Sequence, residues 1–206
     1  NIKKLVEMGV YCKEESFDAV GKSEGWHVRI NNPECSSFDI FQDNKIKGSI
    51  NWNLIGEHNK KNALATFIIA ASLGLKNKQI SESLSAFKGT ARRMEMIGEK
   101  NSISVYDDFA HHPTAIKYTL DGLRKKVGDQ KIICLLEMRS NTMSSGYHDK
   151  AIPKSLEDAD SVFLFSKNQN QIKKIAAKSK KFSTCSGTRE FLNFLPEFKD
   201  PDTHII

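Results

Sequence analysis

The chain has 206 residues, of which 39% are hydrophobic and 27% are charged, and its formal net charge is +6. This composition is typical of an ordinary globular protein with one large or two small domains. No apolar run approaches the roughly 18 residues that span a bilayer, and the N-terminal segment is too charged to be a signal peptide. We therefore predict no membrane partner.

The cysteines and lysines exclude two further classes of protein. The cysteines are dispersed and form no Cys-x-x-Cys pair, which predicts reduced thiols rather than a disulfide framework or a zinc site. The lysines are spread over turns and helix faces, and the densest cluster, residues 178–181, contains no aromatic side chain for base stacking. We predict no nucleic-acid partner and assign the positive charge to the attraction of anionic small ligands.

The first part of the chain reads as short strands followed by two helices. The segments WHVRI, SSFDIFQ and IKGSINWNL, within residues 1 to about 55, alternate partly between apolar and polar residues and are bounded by Asn, Gly and Pro. Helices are predicted at about 58–73 and 77–86, and Gly74 is placed to end the first. The apolar stripe of that first helix consists of Ala63, Leu64, Phe67, Ile68 and Ala71.

After residue 88 strands and helices alternate. Strands are predicted at about 103–106, 131–136, 161–165, 182–185 and 203–206, and helices at about 114–126, 150–158, 169–178 and 187–195. Such alternation implies right-handed crossovers and a mainly parallel sheet. The predicted fold class is α/β, with a doubly wound, Rossmann-like second half. Its first two strands should be neighbours, with their loops side by side.

The segment VYDDFAHHPTAIKYTL combines a strand end, a polar loop and a helix start. In open α/β sheets, ligands bind at the carboxyl ends of strands. The paired carboxylates Asp107 and Asp108 are candidates for hydroxyl binding, a metal site or acid/base work. His111 and His112 are adjacent and point in different directions, so they do not easily share one metal. Pro113 at the helix start leaves free backbone N–H groups near Thr114 and Ala115, which could bind an anion.

Three other polar groups are candidates for binding. Asn59 and Asn62 lie on one helix face, where amides can contact a purine edge, although Asn59 could simply cap the helix. Arg92 and Arg93 could reach a phosphate or ribose, or form an interdomain salt bridge. The residues that follow the strand at 131–136 suit a carboxylate-bearing substrate or form a plain turn: Arg139, Ser140, Asn141 and Thr142.

Together these segments resemble motifs of the Mur ligases, the ATP-dependent amino acid and peptide ligases of bacterial cell-wall synthesis. VYDDFAHHPTAIKYTL is similar to Asp-Asp-(Tyr/Phe)-(Ala/Gly)-His-His-Pro, and GEHNKKNALATFIIAASLGL to the Gly-x-His-Asn-x-x-Asn helix. FKGTARRMEMIGE resembles the Arg-rich interdomain segment. LLEMRSNTMSSGYHDK departs from the His-Arg-Tyr pattern of the alanine-adding members and resembles the Glu-Pro-Arg-Ser-Asn-Thr segment of a peptide-adding branch, with Met138 in place of proline.

The resemblance implies roles for individual residues. It makes Asn59 and Asn62 adenine contacts, Arg93 a nucleotide contact and Asp108 the residue that holds the ribose hydroxyls. It makes His111 the catalytic histidine in the cleft. Five further residues would bind substrate: His112, Arg139, Ser140, Asn141 and Thr142. The resemblance makes none of these site residues a metal ligand.

The resemblance also implies a reaction, in the bacterial cytoplasm and without an obligate protein partner. ATP, with Mg²⁺, activates UDP-N-acetylmuramate as an acyl phosphate, and the amine of the tripeptide L-Ala-γ-D-Glu-meso-diaminopimelate then forms the amide. The alternatives are an L-alanine-adding ligase, a non-catalytic basic module that binds nucleic acid, or an interaction domain. A positive charge without a stacking platform argues against nucleic acid.

The phosphate-cradling loop Gly-x-x-x-x-Gly-Lys-(Ser/Thr) does not occur in this sequence. By the resemblance, that loop, the magnesium ligands and the UDP-sugar domain are expected upstream of Asn1. Residues 1–88 are then the C-terminal portion of a central ATP-binding domain, and residues 89–206 are a C-terminal ligase domain truncated at its end. We expect these 206 residues alone to be inactive.

Overall fold

The protein is described by a computed structural model that covers residues 4, 7–9, 17–18, 25–195 and 201–206. Most of residues 1–24, including Cys12, lie outside the described residues. The chain forms two compact units, and residues 33–36 and 53–59 belong to the second, together with 88–206. The boundary between the ATP-binding portion, residues 1–88, and the ligase domain, residues 89–206, stays a prediction. Across the described ranges, no helix is both long and apolar enough to cross a membrane.

The first unit contains a mainly antiparallel sheet. Its strands, in spatial order, are β1 (Phe17–Asp18), β2 (Trp26–Ile30), β3 (Ser37–Gln42) and β4 (Lys45–Asn51), with β1 parallel to β2. Two helices follow, α1 (Glu57–Ser72), which begins in the second unit, and α2 (Asn77–Ala86). The predicted stripe of α1 is buried at Ala63, Leu64, Phe67 and Ile68. Gly74 ends this segment with a φ of +87°, a conformation that favours glycine.

The second unit contains a six-stranded sheet. Its strands, in spatial order, are β5 (Glu95–Lys100), β6 (Ile103–Asp107), β10 (Thr203–Ile205), β7 (Lys131–Glu137), β8 (Ser161–Phe165) and β9 (Phe182–Thr184). Only the pair of β5 with β6 is antiparallel in this sheet. The helices are α3 (Pro113–Val127), α4 (Asn141–Ser144), α5 (Ile152–Ser155), α6 (Gln169–Ala176) and α7 (Thr188–Phe194).

Helices cover both faces of this sheet. Ile132, Cys134 and Leu136 of β7 pack into a core that includes residues of α3, α5 and α6. Ile133 packs on the opposite face with Phe191 of α7. Burial on both faces explains why β7 is an almost continuous apolar run, as is usual for parallel strands between helix layers. The prediction of a doubly wound, mainly parallel α/β domain is confirmed.

Two structural predictions were wrong. We expected β6 and β7 to be neighbours, but β10 lies between them and pairs parallel with both. The helix predicted at 150–158 is the short α5, flanked by turns. Local periodicity identifies strands, but the choice of strand partner depends on contacts between residues far apart in sequence. The ends of β6 and β7 still lie at one edge of the sheet, because both strands run parallel to β10.

A chain of side-chain hydrogen bonds joins β10 to its surroundings. His204 Nε2 donates to Oε1 of Gln130 at 2.8 Å, so its Nδ1 is the acceptor for the Tyr106 hydroxyl at 3.4 Å. Both side chains are buried, and burial, followed by the charge of Lys126, lowers the pKa of His204 below its ordinary value of 6.5. The neutral imidazole is therefore the form that joins β6 to β10.

We expect the free energy of unfolding to decrease as the pH falls, because His204 is harder to protonate in the folded protein than in the unfolded chain. Because the folded-state pKa of His204 is lowered, the unfolded chain binds a proton first as pH drops below about 6.5. Stability is full above that pH and is lost as pH falls through the folded-state value. Urea unfolding between pH 8 and pH 5 measures this loss, and His204→Gln should show a smaller slope. Identical slopes in the two proteins would rule out this role for His204.

Candidate functional site

A cleft of about 640 Å³ lies at the carboxyl edge of the second unit's sheet. The loops that follow β6 and β7 and the end of β8 form its rim, and Ile116, Leu120 and Leu136 give it an apolar floor. An apolar cleft with a few polar groups at the carboxyl ends of parallel strands is the usual form of a ligand site in this type of fold. Its rim contains carboxylate, guanidinium, imidazole and hydroxyl groups.

Asp108 is held at the base of the rim by neighbouring groups. Its Oδ1 accepts from the backbone N–H of Ala110 at 2.7 Å and from the Thr119 hydroxyl at 3.4 Å. Its Oδ2 accepts from the N–H of Met94 at 2.8 Å. Asp108 thus connects the start of β5, the loop after β6 and helix α3. A carboxylate has about four acceptor positions, so these bonds leave room for a ligand hydroxyl.

The guanidinium groups of Arg92 and Arg93 both lie near the Phe109 ring. Arg92 Nε pairs with Asp107 at 3.0 Å, and its guanidinium lies 5.3 Å from the Phe109 ring centroid. The Arg93 guanidinium lies 5.8 Å from the same centroid. Arg92, Asp107 and Phe109 line the cleft, whereas Arg93 does not. Arg92 therefore forms a salt bridge inside the second unit.

The two histidines have different environments. The Nδ1 of His111 donates to the Phe109 carbonyl at 2.9 Å, so the neutral ring keeps a lone pair on Nε2, and His111 lines the cleft. His112 precedes α3, and its Nδ1 accepts from the Thr114 N–H at 3.2 Å. The expectation of a free N–H at Thr114 is wrong, because His112 caps it. The ring of His112 lies edge-on to His148, with the centroids 4.6 Å apart.

The segment after β7 is more ordered than a plain turn. The N–H of Met138 donates to the Phe165 carbonyl at 2.9 Å, a bond that proline could not make. Arg139 is exposed and lines the cleft together with Ser140. Ser140 caps the short helix α4 by accepting from the Met143 N–H at 3.4 Å. The two exposed residues at the start of α4 do not line the cleft: Asn141 and Thr142.

The asparagines lie at the start of α1. The Nδ2 of Asn59 donates to the Ile55 carbonyl at 2.8 Å, so its amide does not cap the helix in the manner considered from sequence. Asn62 is exposed and belongs to the first unit. His58 contacts Tyr118 of α3, with the ring centroids 6.4 Å apart. Burial lowers the pKa of His58, the charge of Asp108 raises it and that of Arg93 lowers it.

The cleft therefore brings together Asp108, His111, Arg139 and Ser140 of the predicted site residues. Asn59, Asn62, Arg93 and His112 lie outside its lining, as do the two residues that begin α4. Sequence reasoning gave no role to Phe109, Glu137 or Phe165, which also line it. Glu137 and Phe165 end their strands at this edge, so their positions were a usable signal.

Two further findings limit the chemistry of the cleft. Burial, with a smaller contribution from the Asp108 charge, raises the pKa of the Cys134 thiol to about 12, so this group in the lining is not a nucleophile. Within the residues that the structure describes, no group of three or more His, Cys, Asp or Glu side chains is arranged to hold a metal ion.

Comparison with known proteins adds independent information. Residues 92–204 match the family model of the Mur ligase, glutamate ligase domain. An Escherichia coli protein named UDP-N-acetylmuramate–L-alanyl-gamma-D-glutamyl-meso-2,6-diaminoheptandioate ligase is 39% identical over 80% of this chain and 35% of its own length. A UDP-N-acetylmuramate–L-alanine ligase from Clostridium botulinum is 35% identical over 70% of this chain and 31% of its own. The chain spans about a third of the length of these relatives.

Solved structures give the same grouping. A murein peptide ligase from Psychrobacter arcticus superposes with a TM-score of 0.66 at 29% identity and covers 99% of this chain and 45% of its own. A UDP-N-acetylmuramoylalanyl-D-glutamyl-2,6-diaminopimelate–D-alanyl-D-alanyl ligase from Acinetobacter baumannii gives a TM-score of 0.71 at 19% identity over 93% of this chain and 42% of its own, a likeness of fold.

We expect Asp108→Ala to lower the free energy of unfolding by about 1–3 kcal/mol, because two backbone N–H groups lose their acceptor. Urea unfolding measures this change. Asp107→Ala is the matched control, since its exposed pair with Arg92 should contribute only about 0–1 kcal/mol. Equal losses in the two variants would contradict the connecting role of Asp108.

Proposed function

The chain belongs to the Mur ligase family, and from this premise we propose that it is part of an ATP-dependent ligase that joins L-Ala-γ-D-Glu-meso-diaminopimelate to UDP-N-acetylmuramate in peptidoglycan recycling. The observation that carries the proposal is the cleft, where Asp108, His111 and Arg139 line one space at the carboxyl edge of the sheet. The relative of matching name supports the choice of substrate, at 39% identity against 35% for the L-alanine ligase.

Four of the predicted residues would bind ATP. Asp108 has acceptor capacity for ribose hydroxyls beyond the donors that it already holds. Arg93 is exposed and has a fork suited to phosphate oxygens. Asn59 and Asn62 would hold the adenine edge. Bound ATP would supply the phosphoryl group that activates the muramoyl carboxylate, and magnesium ligands are expected outside this sequence.

His111 would act on the attacking amine. Its Nδ1–H is committed to the Phe109 carbonyl, which holds the ring in place and leaves Nε2 as a base. An amine must lose a proton as it forms an amide, and a positioned imidazole can accept that proton. The remaining work of such a reaction is positioning and charge neutralisation.

Arg139 and Ser140 would bind the tripeptide. The tripeptide carries several carboxylates, and an exposed guanidinium at the cleft can form two parallel hydrogen bonds to one of them. His112, Asn141 and Thr142 remain candidates for peptide contacts at the edge of this region, although His112 is engaged as a helix cap. We place the reaction in the bacterial cytoplasm, where the buried thiols of Cys35, Cys134 and Cys185 would stay reduced.

The test is the acceptor used by the whole protein. With ATP and UDP-N-acetylmuramate, amide formation with the tripeptide should exceed that with L-alanine, and product can be followed by chromatography. A preference for L-alanine would favour the alanine-adding activity instead. Salt-dependent binding of random DNA without ligase activity would favour the nucleic-acid alternative.

In the whole protein, Arg139→Ala should raise the KM for tripeptide by about ten- to a hundredfold, the scale of a lost charged hydrogen bond of about 1.5–3 kcal/mol. The KM for ATP should change little. Arg139→Lys should restore little, since an ammonium group lacks the planar fork. Steady-state kinetics with each substrate varied in turn measure both constants, and equal effects on both would refute a role specific to the peptide.

A further inference from the structure

Two glycines of the second unit touch where an L-residue would have side-chain atoms. A Cβ added to Gly122, in the middle of α3, would lie 3.3 Å from Cα and 3.4 Å from N of Gly56. Glycine inside a helix is unfavourable relative to alanine, so its presence here has a reason in packing. That reason is the close approach of the backbone at Gly56.

Gly56 is itself fixed in place. Its φ of +94° favours glycine, and its N–H donates to the Glu34 carbonyl at 2.7 Å. Its carbonyl accepts from the N–H of Asn59 at 3.1 Å, and the carbonyl of the preceding Ile55 accepts from the Asn59 side chain at 2.8 Å. The peptide groups that rest on Gly122 are therefore the ones that hold Asn59.

One turn earlier on the same helix, Tyr118 contacts His58. The buried Nδ1 of His58 has no hydrogen-bond partner among the described residues. The charge of Asp108 raises the pKa of this imidazole and that of Arg93 lowers it. The face of α3 formed by Tyr118 and Gly122 thus carries the segment 55–59 on the same compact unit as Asp108.

We propose that Gly122 is a positioning residue, and that the face of α3 formed by Tyr118 and Gly122 sets the position of Asn59 relative to Asp108. The inference rests on the proposed function, in which these two side chains hold the adenine and the ribose of one nucleotide. A methyl group at position 122 must displace Gly56 by a few tenths of an ångström, because its carbon would lie only 3.3 Å from the Cα of Gly56. Asn59 moves with it, and the nucleotide loses a well-placed contact.

The experiment uses the whole protein and measures the dissociation constant for ATP by calorimetry, the KM for tripeptide and the melting temperature. Gly122→Ala should weaken ATP binding by about three- to tenfold. The expected loss is smaller than the roughly hundredfold cost of a 1 Å misplacement, because Gly56 moves by much less than 1 Å. The KM for tripeptide should be unchanged. The melting temperature should fall less than the loss of ATP affinity would suggest, because alanine is a better helix former than glycine.

The matched control is Gly98→Ala in β5, where an added Cβ has nothing within 4 Å and the φ is not positive. This variant should leave ATP binding as in the wild type. Tyr118→Ala provides a second variant if Gly122→Ala does not fold, since this exposed position loosens the contact with His58 instead of crowding it. It should weaken ATP binding as well.

A double-mutant comparison separates positioning from general packing. If Gly122 acts through Asn59, then Gly122→Ala should have little further effect on ATP binding in an Asn59→Ala background. Additive effects of the two substitutions would overturn the inference about Gly122 but not the proposed function. Wild-type ATP binding in both Gly122→Ala and Tyr118→Ala would do the same. A wild-type protein that does not bind ATP would refute the proposed function and this inference with it.

Discussion

The second unit depends on the acceptor capacity of one carboxylate. Asp108 receives hydrogen bonds from Met94, Ala110 and Thr119, which belong to the segment before β5, the loop after β6 and helix α3. Backbone N–H groups at the end of a strand need acceptors, and a buried one that is left unpaired costs about 1–3 kcal/mol, or less where water can reach it. A single side chain meets this need for two of them and also fixes the direction in which the chain leaves the sheet.

The position of the rim follows from this arrangement. With Ala110 held, the chain turns so that His111 bonds back to Phe109 and His112 caps α3 at Thr114. Each of these bonds uses one ring nitrogen and therefore defines which nitrogen remains on the other side. The adjacent histidines are separated in role by their backbone contacts, since one faces the cleft and the other satisfies a helix terminus.

Much of the second unit could be predicted from local patterns. The apolar residues of α3 and the continuous apolar run of β7 reflect helix and parallel-sheet burial, and both read directly from the sequence. The position of β10 in the sheet could not be predicted, because this strand has only three residues and its hydrogen bonds to Tyr106 and Gln130, through His204, join distant parts of the chain. The cap at Ser140 was likewise hidden, since Ser and Asn favour turns and helix starts equally. For the site, the motif indicated which loops meet, but the commitment of Arg92 to Asp107 depends on the fold.

The turn that contains the two arginines has a strained backbone, which positions both guanidinium groups. Arg92 and Met94 have φ values of +58° and +48°, a region that costs a residue with a side chain on the order of 1 kcal/mol or more. Two carboxylates hold this strained turn, since the N–H of Arg92 donates to Glu95 at 2.7 Å and that of Met94 to Asp108 at 2.8 Å. The consequence is that both guanidinium groups lie within 6 Å of the Phe109 ring, at the edge of the cleft. A relaxed turn would need neither carboxylate, so the sequence uses Asp108 and Glu95 to keep positive charge beside a site that we propose receives an anionic nucleotide.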